Sequence, residues 1–116
     1  MDWKWVMFSA LAVLLTVGCL LPNSWLPTAL PNDKLMHFAG FGLLALLALP
    51  LAHDRREGMW CLAGVLLASL AIECLQVLVP ERRFCWCDLA ANAAGVACAG
   101  LIGLAYGAVS TLGAFA

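Results

Sequence analysis

Charge is what this chain has least of: only 11% of its 116 residues are Asp, Glu, Lys or Arg, while 65% are hydrophobic. Such a balance cannot coat a soluble globule with polar surface, which excludes a water-borne domain. A dominant sign of charge is missing as well. Seven acidic and six basic residues give a formal net charge of −1, and the basic ones are scattered, so nucleic acid and strongly acidic partners are excluded. There is no nucleophile elbow, no phosphate-cradling glycine loop and no CxxC metal motif, so no cofactor and no metal centre is expected. Cysteines are present, but Cys19, Cys61, Cys74 and Cys98 stand inside apolar runs, where a thiol behaves as a small hydrophobe. Only Cys85 and Cys87 fall in a turn.

What remains is an integral membrane protein. At 1.5 Å per residue, about 20 apolar residues cross a hydrocarbon core of about 30 Å. Four runs meet that length, giving helices over about 5–21, 35–52, 59–79 and 89–110. The expected fold is all-α, four transmembrane helices in an up-down bundle, forming a single domain over 1–116. The first run reads as a span and not as a cleaved leader, because Thr16 and Val17 ahead of Gly18-Cys19 suit a lipoprotein cleavage site poorly. Residues 22–33, PNSWLPTALPND, carry three prolines and cannot continue a helix, so they form an apolar loop at the interface. Residues 53–58, HDRREG, close the second hairpin.

The positive-inside rule is balanced here, with Lys4, Arg55 and Arg56 on one side and Lys34, Arg82 and Arg83 on the other. If intramembrane acids hold the second trio, only the first reports topology, and both termini are cytoplasmic. Trp3, Trp5 and Trp60 fall at one interface and Trp25 and Trp86 at the other, as aromatic belts do.

One polar stretch interrupts the grease: ECLQVLVPERRFCWCDLAANAAG, from Glu73 to Gly95. A charged side chain inside hydrocarbon costs roughly 2.5–3.5 kcal/mol on insertion scales, so Glu73 is a functional candidate whose partner must be found. In an up-down bundle the start of helix two, the end of helix three and the start of helix four share one face, taken as the outer one. Asp33, Lys34 and His37 open helix two. Glu73 and Gln76 lie roughly 6–10 Å below Pro80, and Asp88 and Asn92 open helix four. Spacings of three and four put His37 under Asp33, Asn92 under Asp88, and Gln76 and Ser69 on the side of Glu73. Each helix thus offers one polar stripe at similar depth, as an interhelical pocket requires. Arg82, just past the turn, is the expected counter-ion of Glu73, the two forming one unit.

The motifs Asp33-Lys34-x-x-His37-Phe38-x-x-Phe41, Glu73-x-x-Gln76 and Pro80-x-Arg82-x-Phe84-x-x-x-Asp88-x-x-Ala91-Asn92-x-x-Gly95 stand in this order. Together they resemble the VanZ-like family of small bacterial membrane proteins, from helix two to helix four. Cys85 departs from the acidic residue that often follows the motif Phe, so no role is assigned to an acid there. The resemblance implies a multi-pass protein of the bacterial inner membrane, four spans, and a link to tolerance of teicoplanin-type glycopeptides. It implies no established reaction. Asp33, Lys34, His37, Phe41, Glu73, Gln76, Arg82, Asp88, Asn92 and Gly95 are its motif residues here, and Glu73, His37, Arg82 and Asp88 are the candidates for any catalytic role.

Plainer roles compete for the same residues. Asp33 and Asp88 are good helix N-caps. His37, Gln76 and Asn92 can hydrogen-bond between membrane helices with no chemistry, for about 0.6–2 kcal/mol each. A zinc site from Cys85, Cys87, His37 and Glu73 is not expected, because CxC is an unusual ligand spacing; a disulfide from this pair to Cys19 or Cys74 is the better alternative. Ala91, Gly95, Ala99, Gly103 and Gly107 form a small-residue stripe that lets a neighbouring helix approach, within the chain or in a homo-oligomer. Asp33-x-x-x-His37-x-x-Gly40 and Asp88-x-x-x-Asn92-x-x-Gly95 share a spacing that three matched positions leave to chance.

Three functions fit these residues. One is an outer-face pocket for membrane lipid or for a lipid-linked or glycopeptide ligand. Another is a membrane enzyme on a lipid-linked substrate, with Glu73 or His37 as acid or base and Arg82 on a phosphate. The last is a structural subunit of a membrane complex.

Overall fold

The computed structural model describes residues 2–26 and 33–115. Among them it contains helices and no strand: α1 (Trp3–Leu20), α2 (Asp33–Ala48), α3 (Arg55–Leu75) and α4 (Trp86–Phe115). All four are long and apolar enough to cross a membrane, counting for α2 and α3 the short 3-10 turns that extend them to Leu51 and Leu78. The chain is a multi-pass membrane protein by that measure. Residues 27–32 of the expected interfacial loop lie outside the described residues.

The helix ends follow from local chemistry. Asp2 caps α1, its side chain accepting from the Lys4 N–H at 3.0 Å. Leu21 is already extended, as the residue before a proline tends to be, and α1 stops there. Pro50, with no N–H to give, tightens the end of α2 into the 3-10 turn Leu49–Leu51. The segment at 53–58 is less of a loop than expected, because α3 begins within it. Asp54 Oδ1 accepts from the Glu57 N–H at 2.7 Å and Glu57 Oε2 accepts from the His53 N–H at 2.8 Å, a variant of the capping box. Asp-x-x-Glu therefore moves the start of α3 four residues ahead of the expected position.

α2 is the central element. Its buried side chains, His37, Phe41, Leu44, Ala45 and Ala48, recur at helical spacing and meet Val65 and Ile72 of α3 and Val96 and Ala99 of α4 in one core. By contrast α1 has no buried residue. Large apolar side chains such as Leu14, Leu67, Leu101 and Tyr106 point outward, where lipid is a better solvent than water. With no hydrophobic drive between helices in lipid, close backbone approach must help hold the bundle. It does so at the crossing of α2 and α4, where a Cβ on Gly95 would collide with the Phe38 carbonyl and lie 2.9 Å from the Gly42 nitrogen. Farther along the stripe Ala99 is 1% exposed, and a Cβ on Gly103 would lie 2.8 Å from Leu49 Cδ1. These contacts of the stripe are made within one chain.

Candidate functional site

The end of α1, the start of α2, the end of α3 and the start of α4 converge, and the sequence motifs meet there. Among the described residues six polar side chains are buried: His37, Ser69, Glu73, Gln76, Asp88 and Asn92. Helical spacing along the sequence places all six in the polar layer. Ser69 is satisfied locally, its hydroxyl donating to the Leu66 carbonyl at 2.7 Å. Of the others, His37, Asp88 and Asn92 come together because the Gly42–Gly95 contact brings α2 and α4 close about two turns below Asp33 and Asp88.

His37 is the hub. Its Nδ1 lies 2.8 Å from Asn92 Oδ1 and 3.6 Å from Glu73 Oε1. On the far edge of the ring, Nε2 lies 3.7 Å from Asp33 Oδ1 and 3.8 Å from Asp88 Oδ2. Lys34 covers the other oxygens of the same two carboxylates, with Nζ 2.5 Å from Asp88 Oδ1 and 3.5 Å from Asp33 Oδ2. Phe41 stacks beside the imidazole, with ring centroids 6.2 Å apart and 21° between the planes. Asp33 and Lys34 remain about half exposed, so the cluster opens at that end and is closed at Glu73. Both carboxylate oxygens of Glu73 and the amide nitrogen of Asn92 are buried without a well-formed hydrogen bond, the Cys85 N–H being the backbone donor turned towards Glu73. Orphaned polar atoms at this depth are uncommon and call for an explanation.

Three expectations change here. Arg82 is not the partner of Glu73: its Nε donates to the Leu21 carbonyl at 2.9 Å and its Nη2 to the Gly18 carbonyl at 3.0 Å. Gln76 joins it by donating Nε2 to the Cys19 carbonyl at 2.8 Å, so both side chains satisfy the free carbonyls at the end of α1, where a cation also suits the helix dipole. The turn aims Arg82 that way. Glu81 sits at φ 69° after Pro80, and the Arg82 N–H donates to the Val79 carbonyl at 3.2 Å, the pattern of a type II turn. Glu81 also accepts from the Ser24 hydroxyl at 2.6 Å, joining this turn to the segment after α1.

Asp88, second, is not the N-cap of α4. It stands inside the first turn, its N–H donating to the Cys85 carbonyl at 3.1 Å, and its side chain serves Lys34. Cys85 takes the capping position, and the backbone N–H groups of Asp88 and Cys87, facing its sulfur, hold that thiol below its ordinary range. Third, all six cysteines are free, so the disulfide from Cys85 or Cys87 to Cys19 or Cys74 is not formed. The ligand set weighed from sequence was Cys85, Cys87, His37 and Glu73, whereas it is Asp33, His37 and Asp88 that bring one ligand atom each within 4.8 Å of the others. The i,i+4 pair Asp33 and His37 was the visible signal, but Asp88 joins them only through tertiary packing.

A cavity of about 640 Å³ lies elsewhere, between α1, α2 and α3, with walls such as Phe8, Leu15, Ala48, Val65 and Ala68. Of the motif residues it touches only Phe41. Its lining is mostly apolar, with His53 and Glu57 at one end, so the polar cluster, not this cavity, is the candidate site.

A small α-helical membrane protein with a buried His-carboxylate-amide cluster at converging helix ends is the class defined so far. The family model of VanZ/LLP1 matches residues 3–106, nearly the whole chain, and the protein belongs to that family. No curated protein and no solved structure matches it.

Proposed function

We propose that this protein is a cell-envelope protein of the bacterial inner membrane whose polar cluster forms a ligand pocket at the outer face, with both termini in the cytoplasm. Its ligand is the polar head of a membrane lipid or of a lipid-linked envelope precursor, and occupancy of the pocket confers tolerance of teicoplanin-type glycopeptides. Membership of the VanZ/LLP1 family supports the envelope role. The observation that carries the pocket is the set of orphaned atoms: the Glu73 oxygens and Asn92 Nδ2. Buried unpartnered polar atoms cost about 1–3 kcal/mol each, a penalty that packing alone gives no reason to keep and that a bound polar group offsets.

The test is lipid identification by mass spectrometry on protein extracted in native membrane discs. Wild type should carry an enriched head-group species that Glu73→Gln loses. The same bulk lipid in both would remove the support for a specific pocket. The enzyme reading draws on one contact, the 3.6 Å approach of His37 Nδ1 to Glu73 Oε1, which suits an acid and base pair in a site closed to water. It no longer includes Arg82 as a phosphate clamp, because that side chain is bonded to α1.

A further inference from the structure

We infer that Asp33, His37 and Asp88 form a binding site for one divalent transition-metal ion of the manganese or zinc type. The distances point to it first. His37 Nε2 stands 3.7 Å from Asp33 Oδ1 and 3.8 Å from Asp88 Oδ2, and the three ligand atoms lie within 4.8 Å of one another. An imidazolium hydrogen-bonded to a carboxylate closes to about 2.7–2.9 Å. Two ligands sharing an ion at 2.0–2.2 Å in tetrahedral geometry stand roughly 3.3–3.6 Å apart. The Nε2 separations are far closer to the second value.

The orientation of the ring is the second argument. Asn92 Oδ1 meets Nδ1 of the imidazole at 2.8 Å, which leaves Nε2, on the opposite edge of the ring, turned to the two carboxylates. A histidine whose far N–H is held by a second residue is the usual arrangement of a metal ligand. Glu73 supplies the independent observation. It is 0% exposed, neither oxygen has a well-formed hydrogen bond, and it meets the same imidazole from behind at 3.6 Å. Three carboxyl groups and one ammonium, Lys34, surround His37, a setting that accepts a divalent ion. One imidazole nitrogen with carboxylate oxygens suits manganese and zinc among available ions. The half-exposed Asp33 gives the entry path.

The site deepens the pocket reading, since such an ion would receive an anionic oxygen of a head group, but it is tested without any envelope ligand. Chelator-stripped full-length protein in discs of neutral phosphatidylcholine is titrated with MnCl2, and free ion is followed by its paramagnetic resonance signal. Manganese is used because thiols such as Cys85 compete poorly for it. Wild type should bind one ion per chain, and ZnCl2 should displace it. Asp33→Asn and His37→Gln should each weaken binding at least 10-fold, while His53→Gln, at the opposite helix ends, should leave it unchanged. Asp33 is more than half exposed, so Asp33→Asn tests the ligand without emptying the core. The inference is overturned if wild type shows no saturable binding at one ion per chain, or if Asp33→Asn and His37→Gln bind as wild type does. Failure here with a retained specific lipid would remove the metal and leave the pocket.

Discussion

Replacing Gly95 with Ala, the smallest change available, should damage this protein more than most larger changes on its lipid face. The added Cβ would collide with the Phe38 carbonyl and lie 2.9 Å from the Gly42 nitrogen and 3.2 Å from the Gly42 Cα. All of these are backbone atoms, so no side chain can rotate away and α4 must move from α2. Reaching an ordinary contact of about 3.5 Å from the 2.9 Å approach alone needs more than half an ångström, and the Phe38 carbonyl asks for more. Overpacking of this kind costs about 1–3 kcal/mol. The same shift would stretch the 2.8 Å bond between His37 and Asn92 beyond hydrogen-bonding range, losing about 1 kcal/mol more. Gly64 provides the matched control, since nothing lies within 4 Å of a Cβ there, and Ala in an open helical position gains about 0.5–1 kcal/mol over Gly. Thermal unfolding in one detergent should therefore separate Gly95→Ala from Gly64→Ala by at least about 2 kcal/mol. Equal midpoints for the two variants would refute the claim that backbone contact between α2 and α4 builds the site.

Arg82→Gln should loosen the end of α1, because a charged donor to two carbonyls contributes about 1.5–3 kcal/mol and α1 buries no residue to compensate; faster amide exchange around residues 18–21 would show it. Lys34→Gln and Asp88→Asn should be coupled by about 0.5–3 kcal/mol, the double variant being more stable than the sum of the single losses, as a double-mutant cycle in detergent would measure. Glu73→Gln and Arg82→Gln should instead add, since Arg82 is bonded to α1 and not to Glu73. In a cysteine-free background, a single Cys at Arg83 should react with an impermeant reagent from outside and one at Asp54 should not; the reverse pattern would place the cluster at the cytoplasmic face.

Composition and run length made four spans legible, because an apolar run of this length has few other uses. Helical spacing gave the buried polar residues, since an i,i+3 or i,i+4 pair on a membrane helix must share a face. Pairing was harder. Arg82 looked like the counter-ion of Glu73 because charge and proximity in sequence favour it, but the carbonyls at the end of α1 come from a segment some sixty residues away. Sequence gives no sign of that approach. The early start of α3 was readable in Asp54-x-x-Glu57, but the density of charge around it suggested a loop. Cys85 as cap of α4 was not readable, because cysteine is a rare N-cap and Asp88 three residues on is the commoner type. The grouping of Asp33 and Asp88 around one edge of His37 depends on how closely α2 and α4 cross, and so on the match of Gly42 to Gly95.

On the proposed function the buried cluster serves a ligand and not packing alone. Glu73→Gln tests this most directly, because the amide keeps the size of the side chain while removing its charge and acidity. Wild type and variant should be expressed at equal membrane levels in a teicoplanin-susceptible host, with thermal midpoints measured on both purified proteins. The variant should be at least as stable as wild type, and its host as sensitive to teicoplanin as one carrying no copy. Full tolerance with the charge removed and the fold intact would contradict the ligand role.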